Sequence, residues 1–121
     1  MSELPIIQKT CDLIKWYVPH LNKLPRNQKF NLGDRIISGL YDILEHFIRA
    51  RYSSDKLEQL TSANIQLEIL RYQTRILFDF GLMDTQRYEF VSRGFNAIGT
   101  ELGGWIKQQK NASHATLNSI A

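Results

Sequence analysis

The chain has 121 residues, 43 % hydrophobic and 22 % charged, and its 15 Lys and Arg against 12 Asp and Glu give a formal net charge of +3. This composition excludes a disordered chain and points to one domain with one core, large enough to fold without metals or disulfides. No run of about 18 apolar residues exists, so no membrane-spanning helix is expected.

The N-terminus lacks a basic stretch followed by an apolar one, which argues against a signal peptide. Cys11 is the one cysteine, so no intrachain disulfide can form, and a reduced, cytoplasmic protein is the expectation. The positive charge is mild; it permits nucleic-acid binding without demanding it.

Prolines occur only at positions 5, 19 and 25, strand-like alternation is absent, and apolar residues recur at helical spacing throughout. Four helices are predicted. The first spans about Pro5 to Lys23, with Ile6, Thr10, Leu13, Ile14, Tyr17 and Leu21 facing inward. Pro5 suits a first turn, Pro19 predicts a kink or a broken last turn, and Pro25 ends the element. The second spans about Leu32 to Tyr52 behind an Asn31 cap, with Ile36, Leu40, Ile43, Leu44 and Phe47 inward. Arg35, Asp42, Glu45 and Arg49 make its opposite face solvated.

The third helix spans about Lys56 to Phe80. Asp55 and Glu58 have capping-box spacing, and Gly81 is a natural left-handed stop. The fourth runs from about Gln86 to Gln109 behind Asp84 or Thr85. Its seam of Tyr88, Val91, Phe95, Ile98, Leu102 and Trp105 has steps of three and four, which favour the shallow crossings of a bundle. Short connections make successive helices antiparallel neighbours, so the fold class is an all-α, up-down-up-down four-helix bundle over residues 1–110. The segment 111–121 is polar and weakly periodic, and is expected to be a disordered tail.

Two faces of the third helix carry large apolar residues. Leu60, Ala63, Leu67, Leu70, Thr74 and Leu77 form one stripe; Ile65, Ile69, Tyr72, Ile76 and Phe80 form another nearly opposite. A bundle helix needs only one. The second stripe is expected either to meet another subunit or to lie under a neighbouring segment, because left bare it would be a sticky patch. Between the stripes, Asn64, Glu68, Arg71, Arg75 and Asp79 form a polar strip. It reads as solvated ion pairs, or as two guanidinium groups, Arg71 and Arg75, offered to phosphate or to a partner's acids. Gly94, Gly99, Gly103 and Gly104 fall inside the fourth helix at about 1 kcal/mol each relative to Ala, and close packing is expected there, with Trp105 using the room beside Gly104.

Lys9, Trp16, His20 and Lys23 project from one side of the first helix, and Arg26 and Lys29 continue the charge. Cations around an aromatic ring suit a nucleic-acid backbone with a base to stack; the plainer reading makes Trp16 an edge contact and the lysines solvated. Catalytic and metal motifs are missing: no HExxH, no Cys/His zinc spacing, no Glu-x-x-His pair for a di-iron bundle. No cofactor and no enzyme activity are expected.

Several segments together resemble a known family: Asp12-Leu13-Ile14, Val18-Pro19-His20, Leu24-Pro25-Arg26, Phe30-Asn31-Leu32-Gly33-Asp34-Arg35, Leu70-Arg71 with Arg75, Gly81-Leu82-Met83, Gln86-Arg87-Tyr88, Ile98-Gly99 and Leu102-Gly103-Gly104-Trp105-Ile106-Lys107. They are similar to the accessory variability determinant proteins, Avd, of diversity-generating retroelements, related to the small four-helix proteins encoded by intervening sequences of bacterial 23S rRNA genes. The resemblance covers about residues 5–110. It implies a four-helix bundle assembling into a ring-like homopentamer with a positive surface. It further implies binding to a reverse transcriptase and to template RNA or cDNA, in support of mutagenic retrohoming. Arg26, Arg71 and Arg75 are the basic positions inside matching segments; Lys9, Trp16, Lys23 and Lys29 are added from the residue pattern. Five protomers would carry five times +3, or +15, enough to steer phosphate. The alternative is an oligomeric helical scaffold of the intervening-sequence type without nucleic-acid affinity.

Overall fold

The computed structural model describes residues 4–120, with side chains from residue 5 to residue 113. It is all-helical: α1 (Leu4–Asn22), the single turn α2 (Arg26–Gln28), a π-helical turn (Lys29–Gly33), α3 (Asp34–Tyr52), α4 (Leu57–Asp79) and α5 (Thr85–Ile120). The four long helices form an antiparallel bundle in which α1 meets α3 and α5, and α4 meets α3 and α5.

The inward stripes account for the core. In α1, Ile6, Thr10, Leu13, Ile14, Tyr17 and Leu21 are all buried, as is the whole first stripe of α4. In α3, Ile36, Leu40, Ile43 and Phe47 are buried, while Leu44 is only partly covered. Val91, Phe95, Ile98 and Leu102 close the core from α5, with Tyr88 and Trp105 packed at its edges. Burying such side chains fully is worth roughly 1.5–3 kcal/mol each, and this term drives the fold. Two buried polar groups satisfy themselves. Thr10 Oγ1 donates to Ile6 O at 2.7 Å, and the Tyr17 hydroxyl pairs with Thr74 Oγ1 at 2.9 Å across the core from α1 to α4. Burial pushes the Tyr17 phenol well above its ordinary pKa, opposed by its bond to Thr74.

Helix ends follow local chemistry, sometimes not the expected one. The turn after α4 is a Schellman motif: Gly81 N donates to Phe78 O at 2.9 Å and Leu82 N to Leu77 O at 3.1 Å, with Gly81 at φ 75°. Asp84 caps α5 through Oδ1, which accepts from Arg87 N at 2.8 Å. Phe78 and Tyr88 then stack at 4.3 Å, clamping α4 to α5.

Other expectations are corrected. α1 runs unbroken through Pro19. Asn31 is no cap: helix begins directly after Pro25 and reaches α3 through the π turn, in which Asp34 N is shared by Asn31 O and Lys29 O. The Asp55–Glu58 box does not form, because Lys56 holds the cap position of α4 without a side-chain cap bond. Lys56 Nζ instead reaches back to Ala50 O at 2.7 Å and Arg51 O at 3.0 Å, satisfying carbonyls at the end of α3. α5 continues as helix to Ile120, so residues 111–120 extend it where a disordered tail was expected. The side chains of Lys110, Asn111, Ala112 and Ser113 are exposed, so this extension runs beyond the core.

Candidate nucleic-acid and partner interface

The second α4 stripe is bare. Ile65, Ile69, Tyr72, Ile76 and Phe80 are 59 %, 43 %, 71 %, 44 % and 62 % exposed. Among the described residues no segment of the chain covers them, which removes one of the two readings. Every fourth or third residue from 65 to 80 on this face is apolar, and the whole face points away from the core stripe.

The cations sort into two groups. Some are matched by acids. Lys9 Nζ lies 2.8 Å from Glu101 Oε1, tying α1 to α5. Arg75 Nε lies 3.0 Å from Asp79 Oδ1, which holds the guanidinium above its ordinary pKa. Arg71 leaves the polar strip: Nη1 donates to Asn96 Oδ1 at 2.6 Å and Nη2 to Phe95 O at 3.3 Å, bridging α4 and α5. Its Nε lies 3.2 Å from Glu68 Oε1 without hydrogen-bond alignment. A Cβ at Gly99 would stand 2.9 Å from Arg71 Nη2, so Gly99 is the slot that admits this strut. Arg71 is thus a structural bridge before it is a phosphate ligand. At Gly103 and Gly104, by contrast, a Cβ would meet nothing within 4 Å. The close packing expected at these two glycines is absent among the described residues of the chain.

Arg49 and Arg87 likewise stand beside Glu45 and Asp84, whereas Lys23, Arg26 and Lys29 have no acid within ion-pair distance among the described residues. Arg26 and Lys29 flank the ring of Phe30, their charged groups 5.9 and 5.5 Å from its centroid, and Phe30 is 59 % exposed. The turn after Pro25 and the π turn together place all three on one outer surface. Exposed Lys23 stands just before Pro25. Trp16 does not join them as a free stacking ring. It is partly buried against His20 at 4.4 Å and Phe90 at 4.5 Å, the edge-contact reading of the sequence. The structure therefore brings Arg26, Lys29 and Phe30 together, sets exposed Lys23 at the turn before them, and ties Lys9, Arg71, Arg75 and Trp16 into intramolecular contacts. The sequence signal for the Phe30 ring is its spacing from Arg26 and Lys29, four and one positions before it.

No group of three or more His, Cys, Asp or Glu able to hold a metal ion exists among the described residues. Among them, no helix is long and apolar enough to cross a membrane.

The described residues thus form an all-helical bundle with a bare apolar stripe and an exposed cation–aromatic cluster. The chain belongs to the bAvd-like family, which it matches over residues 4–109. It is also similar to the crystal structure of a protein with unknown function from the S23 ribosomal protein family, from Bacteroides thetaiotaomicron. The two superpose with a TM-score of 0.81 at 18 % identity, covering 88 % of this chain and 99 % of that one; at this identity the likeness establishes the fold alone. No curated protein matches the chain.

Proposed function

We propose that this chain is a non-catalytic accessory protein of a diversity-generating retroelement. It acts as a cytoplasmic homo-oligomer, a pentamer by family resemblance, that binds the element's reverse transcriptase and its template RNA or cDNA to support mutagenic retrohoming. Membership of the bAvd-like family supports this reading, and the observation that carries the nucleic-acid part is the Lys23, Arg26, Lys29 and Phe30 cluster. Unpaired cations there can neutralise phosphates while an exposed ring offers a stacking face. The stripe of Ile65, Ile69, Tyr72, Ile76 and Phe80 is the subunit contact, and assembly repeats the cluster once per protomer. Arg71 and Arg75 remain candidate contacts to the reverse transcriptase, through the outer edges of guanidinium groups already held in place. Lys9 and Trp16, on α1 and packed against α5, contribute from the margin.

A second reading has its own support. Lys9, Arg71 and Arg75 each stand beside an acid, as they would in an oligomeric scaffold with no nucleic-acid affinity. Fluorescence anisotropy with a labelled structured RNA separates the two. The accessory reading expects saturable binding at low salt; absence of binding even there replaces it with the scaffold.

A further inference from the structure

A concave pocket of about 220 Å³ lies at the Pro25 end of the bundle, where the end of α1 meets the α4–α5 turn. His20, Leu24 and Pro25 from the end of α1 and the turn after it meet Leu82 and Met83 from the distant α4–α5 turn in its lining. Leu21, Leu82 and Met83 supply an apolar floor, and the nitrogen-bearing side chains of His20, Lys23 and Arg87 line it with no acid among the lining residues.

Of these groups Arg87 is paired with Asp84, while Lys23 has no acid within ion-pair distance among the described residues. The Asp84 carboxylate is shared between the Arg87 amide at 2.8 Å and Arg87 Nη1 at 2.8 Å. The Tyr17 hydroxyl is taken by Thr74. The carbonyls of His20 and Leu21 accept from the amides of Lys23 and Leu24, both at 3.2 Å. His20 is held in place by Trp16, ring to ring at 4.4 Å. Its pKa sits below the ordinary value, first through burial and then through the positive charges of Arg87 and Lys23, which outlast the opposing pull of Asp84. Lys23 is therefore the unmatched charge on the lining, with the His20 ring and the Arg87 donors beside it.

We infer that this pocket binds a phosphomonoester, the terminal phosphate of a nucleotide or of a nucleic-acid strand, between His20, Lys23 and Arg87. A concavity suits a chain end better than a continuous backbone, and a dianion draws more from converging cations than a diester does. The apolar floor accepts the attached sugar or base edge. The pocket shares Lys23 with the proposed backbone-phosphate surface and is otherwise distinct from Arg26, Lys29 and Phe30.

The test uses the full chain and two probe pairs. A nucleoside 5′-monophosphate and its nucleoside are titrated while the His20 ring is followed by NMR. In parallel, a single-stranded RNA is compared with and without a 5′-phosphate by anisotropy. The expected result is a His20 shift with the monophosphate alone and about tenfold tighter binding of the phosphorylated strand. Both differences should collapse in Lys23→Ser and in His20→Gln. A monophosphate response without any strand binding keeps the pocket, assigns it to free nucleotides, and removes the nucleic-acid reading of the previous section. Equal behaviour of phosphorylated and unphosphorylated probes, or a preference that survives both substitutions, overturns the inference.

Discussion

Replacing Ile65, Ile69 and Ile76 together with Ser tests whether the bare α4 stripe joins subunits. The five stripe residues are between 43 % and 71 % exposed, so each has about half a side chain left to bury. At roughly 25 cal/mol per Å² this is about 1 kcal/mol per residue, or about 5 kcal/mol per protomer for the stripe. Removing three of the five forfeits about 3 kcal/mol, roughly two decades in the association constant. None of the three belongs to the core, so helical circular dichroism at 25 °C should be retained, as for other surface substitutions. Sedimentation velocity across micromolar concentrations is the assay. Wild type should sediment as a defined oligomer, and the variant should need about 100-fold more protein to reach it. If the two sediment alike, the stripe is not the contact; if the variant unfolds, the stripe does not lie outside the core.

Other outcomes follow from single contacts. Tyr17→Phe leaves Thr74 Oγ1 buried without its partner, which should cost about 1 kcal/mol and lower Tm by about 4 °C; adding Thr74→Val should restore most of it, by thermal denaturation. Arg71→Ala removes the bridge to Asn96 and Phe95 and should cost about 1–2 kcal/mol in urea unfolding, whereas Arg75→Ala, whose pair is exposed, should cost almost nothing. Gly104→Ala adds a methyl into open space within α5 and should raise Tm by about 4 °C; a fall would mean that a partner's backbone occupies that space. His20 has a folded pKa below its unfolded value, so its contribution is present above about pH 6.5 and is lost as pH falls through the lowered value. Wild type should therefore lose more stability than His20→Gln between pH 7.5 and 5.5 in parallel melts.

The core was legible because burial imposes a 3.6-residue period on each helix, and Thr10 and Thr74 fell on the inward stripes beside their apolar neighbours. The bare face of α4 was legible for the same reason, as a second period that a bundle does not need. Helix ends were read well where the signal is local, as at Gly81 and Asp84. They were misread where a partner from another element decides. Asn31 looks like a cap, yet Pro25 had already started the helix, and the C-terminal carbonyls of α3 are satisfied by Lys56 from the next segment. The site residues suffered from the same limit. Whether Arg71 faces solvent depends on Asn96 and Gly99 of α5, which no spacing within α4 reveals. Lys9 is likewise decided by Glu101, and the pocket joining Lys23 to Arg87 exists only once the bundle closes.

The salt dependence of RNA binding by wild type and by Lys23→Ser/Arg26→Ser/Lys29→Ser tests the central claim most directly. If these cations contact phosphates, log K should fall steeply with log[salt] for wild type, and the variant's slope should be shallower by about 2 to 3 for each protomer in contact. Equal slopes for the two proteins would contradict the account, because the charges would then touch no phosphate.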